Sequence, residues 1–358
     1  MRYIGCKRRL LPFISYVISQ HNIEGETFCD LFSGTATVGN YFKQHGYQVI
    51  ANDLLYCSYI QQQVKLTLNT MPKFEKLATH LRLNKNHFSC FSQAIIDYLN
   101  KLEGIEGFIY QNYSPCGTAG QLTQRLYYTD SNAKKIDTIR ESIEVWKKLS
   151  LINDYEFCIL LYALLDEASK RANTTGMQSS FLKHFTQNAL KPVFLKLPEI
   201  TTSNVEHYTY CQDSLDLIHN LDNIDILYLD PPYTKKQYAA AYHLLETISR
   251  WDYPTITGIT GLRNTYLLKS TFCSKNYALN SLKKIVSQHN YRHLLLSYSH
   301  YSILSHEDIL NLLNEYGNVQ VHSHVLPRYS SIPKNKIRYQ LPAHVEERLY
   351  YLKPYCLR

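Results

Sequence analysis

One short stretch constrains this chain more than any other. Ile224-Asp225-Ile226-Leu227-Tyr228-Leu229 is an apolar run of the kind that forms a strand buried on both faces of a parallel sheet. Asp230-Pro231-Pro232-Tyr233 stops it at once. Consecutive prolines fit neither a sheet ladder nor a helix interior, so the backbone must turn where the strand ends. In open α/β sheets that carboxyl edge is where ligands bind. Taken alone, the tetrapeptide would serve equally as an ordinary strand-to-loop stop.

The start of the chain carries the same architecture. A helical stretch around Leu10 to Ser19 precedes a predicted strand, Thr27 to Phe32. The small-residue turn Ser33-Gly34-Thr35-Ala36-Thr37 follows, then a helix through Phe42 and a second strand, Gln48 to Asn52, ending at Asp53. This βαβ opening implies a parallel sheet. The sheet resumes near Asp213 and at 224–229, and His293-Leu294-Leu295-Leu296-Ser297-Tyr298 reads as a further buried strand. Helices are expected at 237–250, 277–289 and 306–315. The middle, 105–205, has a helical period instead. Ile136, Ile139, Ile143 and Trp146 recur at spacings of three and four, and Phe157 to Ala168 is apolar nearly all round. The expected fold class is therefore α/β: a doubly wound, mostly parallel sheet built from 1–104 and 206–358, interrupted by a mainly helical insertion at 105–205.

Composition narrows the classes. Of 358 residues, 45% are hydrophobic, enough for a packed core, and the formal charge of +8 permits a polyanionic partner without requiring one. The nine cysteines are scattered with no CxxC pair, which argues against a zinc site; their odd number argues against a secreted disulfide framework. No metal site is expected. The basic N-terminus runs directly into a motif rather than a signal peptide, and no apolar stretch approaches the ~20 residues of a membrane span. A cytoplasmic protein with no membrane partner is the expectation.

Several residues carry chemistry. Asp30-Leu31-Phe32-Ser33-Gly34 lies at the first strand's end, where Gly34 lets the backbone approach a ligand and the following helix offers N–H donors. Asp53 ends the second strand at the spacing typical of an acid that accepts ribose hydroxyls, although an N-cap of the next helix would need the same residue. The turn Ser33 to Thr37 has no Lys for a phosphate, so a cofactor with a ribose and no phosphate, such as S-adenosylmethionine, fits better than nicotinamide or ATP. Tyr3-Ile4-Gly5-Cys6-Lys7 forms a second Gly-containing turn. At 230–233, an acceptor carboxylate, a rigid turn with exposed carbonyls and an aromatic face stand together, which suits a flat base bearing an exocyclic amine.

In order, these pieces resemble the amino-methyltransferases that modify adenine at N6 in DNA, of the Dam-like D12 class in its restriction–modification branch. The resemblance covers nearly the whole chain and implies the class I S-adenosylmethionine-dependent methyltransferase fold. Tyr3 to Lys7 looks like the family's N-terminal motif enclosing the cofactor. Asp30, Phe32 and Gly34 look like the motif under its methionine part, Asp53 like the ribose acid, and Asp213 like the acid facing its adenine. Asp230, Pro231, Pro232 and Tyr233 match the catalytic motif, with Asp230 also at the cofactor. Asn112 to Pro115, Tyr127 to Thr129 with Asn132-Ala133, and Tyr242 to Thr247 are similar to stretches of the same branch. Where relatives often carry more glycines, this chain has Ser33-Gly34-Thr35.

The resemblance implies transfer of a methyl group to a flipped-out adenine in duplex DNA, with a separately encoded restriction endonuclease or a second methyltransferase as possible partners. Arg328, Lys334, Lys336 and Arg338 form an acid-free basic stretch suited to phosphates, and Arg125, Lys134, Lys135 and Arg140 are further candidates for DNA contact. A solvated loop or face is the alternative for each. The competing functions are an RNA adenine or cytosine-N4 methyltransferase and a non-catalytic DNA-recognition subunit.

Overall fold

Seven strands hydrogen-bond into one sheet: β1 (Thr27–Asp30), β2 (Gln48–Asn52), β3 (Tyr208–Tyr210), β4 (Ile224–Leu229), β5 (Tyr291–Ser299), β6 (Gly317–Pro327) and β7 (His344–Pro354). The computed structural model describes residues 5–83, 91–299, 302–327 and 344–355. Across the sheet the order is β3-β2-β1-β4-β5-β7-β6. The first five strands are parallel, whereas β7 is antiparallel to both β5 and β6. The chain winds outward from β1 to β3, then returns to place β4 on the other side of β1. The order thus reverses between β1 and β4, and their carboxyl ends flank the crevice where doubly wound sheets take ligands.

The strands form where their side chains can be covered on both faces. Cys29, Leu227, Leu229, Leu294 and Leu296 pack with Ala278, Leu282 and Ile285 of the Lys275–Val286 helix and with Ile309 and Leu313 of the His306–Asn314 helix. Phe28 points the other way and stacks on Phe42 of the Thr37–Gln44 helix, ring centroids 3.8 Å apart. Alternate residues of one short strand therefore feed two cores, one on each side of the sheet.

The chain divides into two compact units. Among the described residues, the sheet unit takes in Gly5–Leu55, Ser203–Tyr238 and the residues from Leu267 onward. The other unit, Tyr56–Thr202 with Ala239–Tyr266, is mainly helical and so includes more of the chain than 105–205. Its two long helices are set by their caps. Thr129 accepts the Asn132 N–H to start Asp130–Lys148, and Asn153 forms a reciprocal capping box with Glu156 to start Asp154–Arg171. Ile136, Ile139, Ile143 and Trp146 are buried along the first, in accord with their period.

Three features differ from the sequence expectation. β1 ends at Asp30, and Leu31 extends the ladder only through its N–H to the Tyr228 carbonyl, 3.2 Å. The expected 237–250 helix is broken into Tyr238–Ala241 and His243–Arg250. The antiparallel pair of β6 and β7 was not anticipated. Its outer strand alternates polar Asn318, Gln320, His322 and His324 with Val319, Val321, Ser323 and Val325, so it offers no apolar run.

Candidate active site

The site is built in the sheet unit at the carboxyl ends of β1 and β4. Register places Asp30 beside Tyr228, so Asp230 follows just past the end of the ladder. The double proline then carries the chain away from the sheet, and the Tyr233 carbonyl accepts the Ile303 N–H at 3.0 Å, fixing the turn. Farther along, Gln237 and Ser270 exchange two hydrogen bonds, Ser270 N–H to Gln237 Oε1 at 2.8 Å and Gln237 Nε2 to the Ser270 carbonyl at 3.1 Å. The Tyr233 ring meets Tyr298 edge-on with centroids 6.1 Å apart.

A strap from the N-terminal segment crosses this turn. Gly5 has φ +73°, and a Cβ there would meet the hydroxyls of Tyr233 and Tyr238 at 3.6 Å. Glycine serves both the left-handed backbone and the close approach. The strap delivers Lys7, 4% exposed, whose Nζ stands 3.2 Å from Asp230 Oδ1 and 3.3 Å from Glu347 Oε2 on β7. The first is a charge contact without hydrogen-bond alignment; the second is a hydrogen bond. The same ammonium lies 5.5 Å from the Tyr233 ring centroid. Lys7, expected from the sequence at the cofactor, therefore touches Asp230 and Tyr233 of the double-proline turn. Tyr3, Arg328, Lys334, Lys336 and Arg338 lie outside the described residues.

Burial sets the electrostatics. It pushes the Asp230 carboxyl up to about 6, with Glu347 adding to the rise and Lys7 opposing it. Burial works to lower the Lys7 pKa, but Asp230 and Glu347 together raise it well above the ordinary lysine value. Asp30, buried behind them, is pushed up to about 7, first by desolvation; Ser33 opposes this, while Asp230 and Asp53 add to it. Tyr233 rises to about 12 on burial, so it stays a neutral ring at physiological pH.

Between β1 and β2 the loops are organised by two polar residues. Gly34, at φ +52°, donates its N–H to Asp53 Oδ2 at 2.9 Å, and Asp53 Oδ1 accepts from Leu55 N–H at 2.9 Å. Asp53 thus anchors the Gly34 loop and closes a local turn onto Leu55 rather than capping the next helix, which begins at Tyr56. Asn52, not singled out from the sequence, is buried and bonds the Leu31 carbonyl at 3.3 Å and the Gln212 carbonyl at 3.1 Å, while its Oδ1 accepts from Gln212 N–H at 3.2 Å. An amide at a strand end, just before an acid, was the available signal. Asp213 N-caps the Ser214–Ile218 helix through Leu215 N–H at 2.8 Å. Phe32 packs edge-on to Phe272, centroids 5.1 Å apart. Asp30 Oδ2 is buried without a hydrogen-bond partner. A buried acceptor facing a Gly-containing loop, with Asp53 and Asp213 at the adjoining strand ends, fits a cationic, ribose-bearing cofactor.

In the helical unit, three of the four residues expected at DNA are engaged with groups of the unit itself. Arg125, 6% exposed, donates to the carbonyls of Asn112, Gly258 and Ile259 at 3.0–3.2 Å and so ties the hairpin Ile256–Thr257/Leu262–Arg263 into its unit. Arg140 is buried, donating to the Ile248 and Ser249 carbonyls and to Glu144. Lys135 donates to the Asn100 and Leu102 carbonyls. In each case unpaired carbonyls inside the unit claim the cation. Lys134 remains partly exposed, in an ion pair with Glu106 at 2.7 Å.

The other resembling stretches also build this frame. Tyr113 donates to the Gly261 carbonyl, Asn132 holds the Ala189 and Lys191 carbonyls, and buried Glu246 accepts the N–H groups of Tyr56 and Cys57 at the start of the Tyr56–Gln62 helix. Among the described residues, no group of three or more His, Cys, Asp or Glu side chains could hold a metal ion, and no helix is long and apolar enough to cross a membrane.

A seven-stranded, mostly parallel doubly wound sheet ending in an antiparallel strand pair is consistent with the class I methyltransferase fold. Comparison with known proteins specifies the branch: the chain belongs to the D12 class N6 adenine-specific DNA methyltransferase family, whose model matches residues 3–311. It is 38% identical over 318 residues to the type II methyltransferase M.FokI of Planomicrobium okeanokoites, covering 88% of this chain and 47% of that protein. It is 34% identical over 357 residues to the modification methylase StsI of Streptococcus sanguinis, covering 97% and 52%. With the type II methyltransferase M.NlaIII of Neisseria lactamica it shares 35% identity over 325 residues, covering 88% and 89%. The chain thus spans about half the length of the first two and most of the third.

Proposed function

We propose that this chain transfers a methyl group from S-adenosylmethionine to N6 of a flipped-out adenine at a specific site in duplex DNA, as the modification enzyme of a restriction–modification system in the bacterial cytoplasm. The observation that carries this reading is Asp230, 15% exposed just past the end of β4 and followed by the double-proline turn that presents Tyr233.

Adenine N6 is a poor nucleophile because its lone pair is delocalised into the ring. Asp230 and the Pro231 carbonyl would accept its two N–H bonds, raise electron density on nitrogen and orient the lone pair. Pro232 keeps the turn rigid, and Tyr233 stacks on the extruded base, offsetting part of the few kcal/mol that unstacking costs. When bound, S-adenosylmethionine supplies a methyl group on a sulfonium. Asp30, Phe32, Gly34, Asp53 and Asp213 would hold it, with the N-terminal motif of Tyr3 and Lys7 closing over the site. Much of the rate gain comes from in-line positioning. The helical unit, with 105–205 as its centre, would read the target, and Arg328, Lys334, Lys336 and Arg338 would meet phosphates. A separately encoded endonuclease or a second methyltransferase would complete the system.

The test is transfer from labelled S-adenosylmethionine to mixed-sequence duplex DNA, with nucleoside digestion and mass analysis. N6-methyldeoxyadenosine supports the reading. N4-methyldeoxycytidine, or a product on RNA alone, replaces it with one of the other methyltransferases; cofactor binding without product on either nucleic acid replaces it with a recognition subunit.

A further inference from the structure

We infer that Glu347, contributed by the last strand of the sheet, is a positioning residue for the methyl-transfer step: it holds the Lys7 ammonium midway between two carboxylates and so keeps the Asp230 carboxylate turned toward the target amine. The inference rests on the proposed function. Glu347 lies beyond the family-matched residues, which end at 311.

The geometry is symmetric. Lys7 Nζ is 3.2 Å from Asp230 Oδ1 and 3.3 Å from Glu347 Oε2, and the three side chains are 4%, 15% and 13% exposed. Only the Glu347 contact is an aligned hydrogen bond. Glu347 is fixed by register on both sides, opposite Ser299 of β5 and His324 of β6. His324 is in turn stacked on Phe13, centroids 5.0 Å apart. A lysine buried beside one carboxylate alone would close onto it, because an unshared charge in a dry site is costly. That closed pair would draw Oδ1, which is itself shielded from solvent, toward the strap and turn the carboxylate away from the amine. With Glu347 taking the hydrogen bond, the ammonium neutralises the site without pulling Asp230 out of place. The last strand of the sheet, which carries the buried run Leu349–Leu352, thereby contributes a charge to the site.

The charged and titratable groups facing Asp230 are Lys7 from the strap, Glu347 from β7, Asp30 from β1, and Tyr228 and Tyr233 from its own segment. Glu347 adds negative charge to this set. Removing that charge lowers the Asp230 pKa even as it releases Lys7 toward Asp230.

The experiment uses Glu347→Gln and Glu347→Asp in the full chain, with cofactor affinity by calorimetry and the pH dependence of single-turnover methyl transfer. Expected for Glu347→Gln is an unchanged cofactor Kd, a transfer rate lower by between about tenfold and 10²-fold, as for a misplaced reacting group, and an acid limb moved to lower pH. Glu347→Asp should recover part of the rate. A Glu347→Gln rate and acid limb matching the wild type overturn the inference. So does a rate loss matched by weaker cofactor binding with the acid limb unmoved, the pattern of a merely structural residue. Should Glu347→Gln not fold, Glu347→Asp decides alone: a slower rate with unchanged cofactor Kd supports the inference, and wild-type behaviour overturns it. Wild-type protein that makes no N6-methyladenine would instead refute the proposed function.

Discussion

Lys7 Nζ stands 3.2 Å from Asp230 Oδ1, joining the N-terminal strap to the end of β4 in a pocket almost closed to solvent. This contact gives the account its electrostatics. Asp230 is buried deeply enough to favour its neutral form, yet the adjacent cation keeps it from rising further. The pair tunes a carboxylate that ionises just below neutrality, the state in which it accepts hydrogen bonds.

Methyl transfer should therefore fall on acidification. The competent form is the carboxylate, and its pKa of about 6 sets the acid limb. Below it the single-turnover rate should drop about tenfold per pH unit. The stability sign is the opposite of the usual carboxylate case. The folded pKa is raised, so this group alone stabilises the fold at low pH, and that contribution is lost as pH rises from the ordinary 3.8 through about 6. A rate flat down to pH 5 would refute this assignment.

Cofactor binding should release protons near neutrality. Asp30, pushed up to about 7, is half protonated there, and a cationic cofactor favours its ionised form. Calorimetry at pH 7 in buffers of different ionisation heat should show about half a proton released, vanishing above pH 8.5. Buffer-independent heats at pH 7 would contradict Asp30 as a cofactor contact.

Tyr233→Phe should retain most activity, because the ring performs the stacking. Tyr233→Ala should weaken capture of the target base by about 1–3 kcal/mol. Fluorescence of 2-aminopurine at the target position reads this directly. Equal signals from the two variants would remove Tyr233 from the base pocket.

Arg125→Ala should cost stability rather than DNA affinity. Three carbonyls lose their donor, about 2–3 kcal/mol in all. The salt dependence of DNA binding should keep its slope, whereas loss of a phosphate contact would reduce it by about one. A reduced slope with an unchanged Tm would restore Arg125 as a DNA contact.

The contrast between Arg125 and Leu227 shows what was legible. Leu227 sits in the apolar stretch Ile226–Leu229, and such a stretch fixes both strand and burial; Val49–Ala51 made Gln48–Asn52 readable for the same reason. Arg125 carries a charge that composition assigns to the surface, but the chain has folded carbonyls around it, and only tertiary structure supplies those. β6 escaped notice because an edge strand with one solvated face needs no apolar run. The position of Asp230 followed from a strand stopped by two prolines. Its pairing with Lys7 and, through Lys7, with Glu347 did not, because contacts between residues so distant in sequence leave no local pattern.

The central claim, that Asp230 activates the adenine amine, is tested most directly by Asp230→Asn beside the wild type. Single-turnover methyl transfer to duplex DNA and cofactor binding are measured on both proteins, and the wild-type product is identified by mass. N6-methyldeoxyadenosine is the expected product of the wild type. A loss of at least about 10²–10³-fold is expected in the variant, the scale for removing one preorganised electrostatic group, with cofactor still bound. Near-wild-type transfer by Asp230→Asn would contradict that claim.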